Sequence, residues 1–132
     1  MVPRASSTSS SAKTASLLAN GERAYLRESY ARSYGLYRKA VKLDPKNPDA
    51  RFGLALTAFQ VGRTRQSRSQ VLTTLELKPD HPEALILIGF LDQVTSRPSL
   101  AGEHYERYLE LYPEGEWAEE LRSVLTTLGT GV

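Results

Sequence analysis

Residue classes in this chain recur every 34 positions, three times over, and no other feature of the sequence restricts its folding as much. Proline stands at Pro45, Pro79 and Pro113. A small residue at Ser33, Ser67 and Ala101 is followed four positions later by Tyr37, Val71 and Tyr105. Val41, Leu75 and Leu109 keep the same register, as do Leu43, Leu77 and Leu111, and near the start of each unit sits Gly21, Ala55 or Gly89. A period in this range signals stacked supersecondary units, none of which can bury its apolar face without a neighbour.

Each unit divides into two helical patterns. In the second unit, Phe52, Leu54, Ala55, Leu56, Ala58 and Phe59 form a first helix that stops near Gly62. Val71, Leu72, Leu75 and Leu77 form a second that stops before Pro79, because proline disfavours helical geometry in the residue ahead of it. The small residues of the two helices let their backbones approach closely enough for bulky neighbours to interlock. The pattern predicts seven helices, near 15–28, 30–43, 48–61, 64–77, 82–95, 98–111 and 116–128. In the last, Trp117, Leu121, Val124, Leu125 and Leu128 share one face while Glu119, Glu120 and Arg122 take the other. That segment reads as an end cap, with Trp117 as a capping residue.

A 34-residue helix–turn–helix unit with a small–aromatic–proline signature resembles the tetratricopeptide repeat (TPR) family over about residues 14–115. The resemblance is carried by Asn20-Gly21, Tyr37, Ala40 and Leu43-Asp44-Pro45-Lys46-Asn47 in the first unit. Leu54, Ala55, Gly62 and Leu77-Lys78-Pro79-Asp80 carry it in the second, and Gly89, Ala101, Tyr105 and Leu111-Tyr112-Pro113 in the third. It implies an all-α fold: a right-handed superhelix of three repeats, 14–47, 48–81 and 82–115, closed by a capping helix at 116–128. A disordered Ser/Thr-rich tail over 1–13 and a flexible C-terminus over 129–132 complete the expected organisation. Three departures from the family pattern carry expectations of their own. Arg51 stands in a bulky aromatic column and predicts looser packing between the first two repeats; Asp92, in another aromatic column, predicts a third-repeat first helix that is rotated or ends early. Tyr108 replaces the smaller Ala40 and Thr74, as a terminal repeat can accept.

In the family that this chain resembles, first helices line the inside of the superhelix. The fifth, ninth and twelfth positions of each repeat then share that surface: Leu18, Glu22 and Tyr25; Phe52, Leu56 and Phe59; Ile86, Phe90 and Gln93. Leu87 and the space left at Gly53 extend the patch, and the register sets Phe52 beside Ile86 and Leu56 beside Phe90. An apolar inner patch of this kind suits an apolar helix or extended peptide segment of another protein. Two other readings stay open: some of these side chains are core residues displaced by one helical step, or the N-terminal tail fills the groove. Co-chaperone members of the family hold a terminal carboxylate with Lys, Asn and Arg on inner columns. Leu18, Glu22, Gly53, Glu83 and Leu87 stand at the matching positions here, and none can donate the charge-assisted hydrogen bonds that a carboxylate needs. The resemblance therefore implies an adaptor or scaffold, with a small secretion-type chaperone that shields an apolar segment as the alternative.

Composition removes several other functions. With no cysteine, neither a disulfide framework nor a thiolate metal site can form, and His81 and His104 are too far apart for a local zinc motif. No cofactor or metal is expected. Glu103, Glu106, Glu119 and Glu120 read as solvated helix faces, and Gly129-Thr130-Gly131 has no strand before it to make a phosphate loop; the chain is not expected to be an enzyme. No apolar run approaches the roughly 18 residues of a membrane span, so no membrane insertion and a cytoplasmic setting are expected. The net charge of +2 hides an asymmetry, +9 over residues 1–78 and −7 over 79–132, which predicts head-to-tail self-association between the basic half of one copy and the acidic half of another. The basic strip of Arg32, Arg38, Lys39, Lys42, Arg63, Arg65 and Arg68 suits a phosphate backbone, but it lacks interleaved aromatics for base stacking, so nucleic acid is a minor alternative.

Overall fold

The same local chemistry sets the helix ends in successive units. The structure, a computed structural model, describes residues 2–129, with side chains from Ser10 onward. Among the described residues it holds seven helices and no strand: α1 (Val2–Leu26), α2 (Tyr30–Leu43), α3 (Pro48–Gln60), α4 (Thr64–Leu77), α5 (Pro82–Val94), α6 (Pro98–Leu111) and α7 (Ala118–Thr127). Proline opens α3 and α5, where its missing N–H costs no hydrogen bond. Asn47 Oδ1 accepts from Ala50 N at 3.0 Å, and His81 Nδ1, one repeat later, accepts from Ala84 N at 3.1 Å, so each side chain satisfies an end donor of its helix.

The helix–helix turns repeat as faithfully. Glu28, Gly62 and Ser96, spaced by 34, have φ of +61°, +85° and +61°. The next residue in each case returns to the preceding helix: Ser29 N donates to Ala24 O, Arg63 N to Ala58 O and Arg97 N to Asp92 O, at 2.9, 2.8 and 2.7 Å. This is a left-handed C-terminal cap that satisfies helix-end carbonyls, and only the middle copy uses the residue type best suited to it.

Helices α2, α4 and α6 have the expected bounds, and the others differ by one or two residues at an end, except α1. The tail expected over 1–13 is helical from Val2, since no breaker follows Pro3 and Ala12, Lys13 and Ala15 favour helix. Within that added stretch Thr14, which is buried, donates from Oγ1 to Ser10 O at 2.9 Å. Of the C-terminal segment expected to be flexible, residues 130–132 lie outside the described residues. No helix of the described residues is long and apolar enough to cross a membrane.

The helices form two compact units, α1–α4 and α5–α7. In the first, the Tyr37 ring of α2 lies between the backbones of α1 and α3. A Cβ built on Gly21 would come within 2.9 Å of one ring edge, and one on Gly53 would come closer still to the opposite edge. In the second unit Tyr105 occupies the space over Gly89 in the same way. The middle repeat has Val71 and Ala55 in these two columns, both fully buried: where the ring shrinks to an isopropyl group, the glycine gains its methyl. Ser33 Oγ donates to Gly21 O and Ser67 Oγ to Ala55 O, each at 2.7 Å, which binds the paired helices backbone to side chain. Ala101 fills this column in the third repeat without a hydroxyl.

Arg51, expected to loosen the first two repeats, has polar partners. It donates from Nε to Pro45 O at 2.9 Å and from Nη1 to Gln70 Oε1 at 3.0 Å, so it ties the start of α3 to the preceding turn and to α4. Asp92 does not cut α5 short; it is fully buried with His104 Nε2 3.4 Å from its Oδ2, and α5 continues to Val94. Tyr108, as expected of a terminal residue, reaches beyond its repeat: its hydroxyl accepts from Trp117 N at 3.3 Å and lies over Gly115. The cap α7 itself is held by Ala118 and Leu121, both buried, whereas Trp117, just before the helix, is 40% exposed.

Burial raises the hydroxyl pKa of Tyr37 to about 12, with Glu22, Asp49 and Tyr25 adding to the effect, and burial followed by Asp92 raises Tyr105 to about 12. The unfolded chain releases these protons near pH 10, so the two rings contribute full stability below pH 10 and lose it as pH climbs from about 10 to 12. The melting temperature should hold up to about pH 10 and then fall, and Tyr37→Phe and Tyr105→Phe should each flatten that fall; thermal melts across the alkaline range measure it. The glycine–tyrosine pairing makes a second prediction. Gly53→Ala should cost about 1–3 kcal/mol through overpacking and cost far less in a Tyr37→Val background, a coupling that a double-mutant cycle in denaturant reads directly.

Candidate functional site

On α1, Leu18, Glu22 and Tyr25 fall at 4+3 spacing on one face: Leu18 and Tyr25 are half-buried and Glu22 is exposed. On α3, Phe52, Leu56 and Phe59 make the equivalent row and all three are half-buried, while Gly53, Leu54, Ala55, Thr57 and Ala58 between them are buried. The two helices meet within the first unit. Gln60 Nε2 donates to Tyr25 OH at 3.2 Å across α3 and α1, and the Tyr25 and Tyr30 rings pack at 5.2 Å. On α5, in the second unit, Ile86 is half-buried and Phe90 is 39% exposed. Gln93, next in that row, accepts from the Tyr105 hydroxyl.

Two expected members of the patch are not there. Leu87 is only 7% exposed: one step around α5 from Ile86, it shares the core side with Ala84 and Leu91, which are buried. The space at Gly53 is filled by Tyr37. The apolar surface is therefore narrower than the sequence suggests, one row per first helix.

A profile of the tetratricopeptide repeat matches residues 24–90, half of the chain. The chain belongs to the tetratricopeptide repeat family. It is 31% identical over 77 residues to the Protein CTR9 homolog of Arabidopsis thaliana, a stretch that is 58% of this chain and 7% of that protein. Among solved structures it is similar to the first TPR of Spaghetti (RPAP3) bound to the HSP90 peptide SRMEEVD, with a TM-score of 0.78, 24% identity, and coverage of 89% of this chain and 94% of that one. It is also similar to the Yersinia enterocolitica type III secretion chaperone SycD in complex with a peptide of the translocator YopD, with a TM-score of 0.74, 12% identity and coverage of 86% of each chain. These likenesses show the TPR fold, with α1, α3 and α5 as the first helices of three repeats and α7 as the cap.

The second helices of the TPR hold an arrangement that column reading does not reveal. In the first unit, the Arg38 and Arg63 guanidinium groups each lie 5.6 Å from the centroid of the Tyr34 ring, whose hydroxyl donates to Gln66 Oε1 at 2.8 Å. Beside this cluster is a cleft of about 470 Å³ lined by Arg38, Lys39, Val41, Lys42, Leu54 and Gln66. Gly35, in the middle of α2, also borders it. The sequence shows the cations as a strip and gives no sign that α2, α3 and α4 fold them around a cavity; the mid-helix glycine is the one signal available there.

Proposed function

We propose that this TPR domain is a protein-binding adaptor or scaffold module that takes an apolar helix or extended segment of a partner on its first helices and carries out no chemistry itself. The observation that supports this most is the row of Phe52, Leu56 and Phe59 on α3, half-buried in line, on a helix whose Gln60 is hydrogen-bonded to Tyr25 of α1. Side chains with part of their apolar surface in water gain most from a partner that covers the rest. Ile86 and Phe90 continue the same columns on α5. The peptide complexes of the Spaghetti TPR and of SycD support peptide binding as the kind of activity.

The ligand differs in kind from a terminal carboxylate. Glu22 and Glu83 are exposed acids, Leu18 is apolar, and Gly53 and Leu87 are buried, so these columns offer no cation to an anionic peptide end. A second reading, a small chaperone that shields an apolar segment of an export substrate, is supported by the likeness to SycD. The two readings share the site and differ in whether the partner is held in an assembly or handed on.

Affinity purification with mass spectrometry, comparing the wild-type chain with the Phe52→Ser/Phe59→Ser variant, tests the site, followed by calorimetry on the protein recovered. Loss of two aromatic contacts worth about 1.5–3 kcal/mol each should weaken binding more than a hundredfold while the helical signal is kept. Normal binding by this variant would remove α3 from the site.

A further inference from the structure

The cleft between α2 and α4 is not part of the first-helix surface, and its contents are unusual for a face with nothing to bind. Helix α2 carries Arg32, Arg38, Lys39 and Lys42 and no acidic residue. Arg38 and Lys42 are one turn apart, a like-charge pair that weakens an isolated helix. The cleft itself is lined by Arg38, Lys39 and Lys42, all exposed, with Val41, half-buried, and Leu54, which is buried, so the cavity has a charged rim and an apolar floor. Gly35 adds an independent observation. Four other glycines of the domain, Gly21, Gly53, Gly89 and Gly115, each make room for a tyrosine, but a Cβ on Gly35 would meet nothing within 4 Å. Mid-helix glycine is less favourable than alanine, and no internal packing explains it here. It leaves bare backbone at the edge of the cleft, where a bulky incoming group can approach.

The complementary shape and charge are present on the chain itself. Trp117, 40% exposed at the start of α7, sits among Glu114, Glu116, Glu119 and Glu120, all exposed. Glu119 and Glu120 are fixed in the first turn of α7, where the helix dipole favours them. An indole fits a cavity of about 470 Å³ and can stack under the Arg38 guanidinium, which Tyr34 already holds. The glutamates then meet Lys39 and Lys42. A nucleic acid fits less well, since phosphates need cations spread along a track and free rings for the bases. The cations that line the cleft, Arg38, Lys39 and Lys42, are concentrated on about one turn, and guanidinium groups lie over the Tyr34 ring.

We propose that the chain self-associates head to tail, with Trp117 and its flanking glutamates from one copy docked in the basic α2–α4 cleft of the next. The contact is heterologous, so each pair of copies keeps one free cleft and one free tryptophan, and assemblies extend until a ring closes. This inference is independent of the first-helix site.

Sedimentation equilibrium of the full chain tests it. At low salt the average mass should rise with concentration beyond a dimer, and high salt should reverse the rise. Lys39→Glu/Lys42→Glu and Trp117→Ala should each weaken association at least tenfold, yet an equimolar mixture of the two should form a dimer and stop there, because one intact cleft and one intact tryptophan remain. As a check that does not touch the tryptophan, Glu116→Lys/Glu120→Lys should be monomeric alone and regain association with Lys39→Glu/Lys42→Glu. A wild-type chain that stays monomeric at low salt and high concentration overturns the proposal. So does association that survives both single-site variants, or a cleft whose charge reversal abolishes binding of a single-stranded oligonucleotide while the mass never exceeds a monomer's.

Discussion

Tyr37 cannot move away from Gly21 without running into Gly53. A rigid ring held between two bare stretches of backbone fixes the separation of α1 and α3, because its shape does not yield as a flexible aliphatic side chain's does. That separation is what lets Tyr25 and Gln60 meet and what lines up the half-buried row of α3 beside α1. Ser33 reinforces it from the other side with a buried hydrogen bond to Gly21. The spacing of the two first helices is thus a by-product of core packing.

The middle repeat reaches the same helix pairing with different parts. Val71 over Ala55 substitutes for a tyrosine over a glycine, and Ser67 keeps the hydroxyl bond that Ser33 makes. The third repeat returns to tyrosine over glycine but loses the serine to Ala101. The tyrosine and glycine columns change together across the three repeats, whereas the serine column changes on its own, so only the ring and the backbone it covers form a paired constraint.

Much of this was legible in the sequence for a clear reason. Helices that begin after Asn47-Pro48 or His81-Pro82 and end before Pro79 announce themselves through residues with strong local effects, and the 34-residue register carries one boundary to the next. Site residues were harder. A column names a direction, and one residue around the helix is a turn of about 100°, enough to put Leu87 in the core while Ile86 and Phe90 stay near solvent. The filling of Gly53 was hidden because its occupant, Tyr37, comes from the preceding repeat. Trp117 looked like a capping residue from its place on an apolar face, but it lies just before the helix begins and so is not bound by that helix's periodicity. Arg51 and Asp92 looked like defects because a column expects a residue class, whereas the structure supplies each with a polar partner, Gln70 for one and His104 for the other.

The left-handed turns at Glu28, Gly62 and Ser96 have a consequence for how such a chain ages. Once a hairpin has been duplicated, its backbone geometry is held by the two helices on either side and by the hydrogen bond that closes them, so the glycine that first made the turn easy is no longer needed to specify it. Two of the three copies carry other residues there. Repeats of this kind are therefore better aligned at the turn through dihedral angles than through letters.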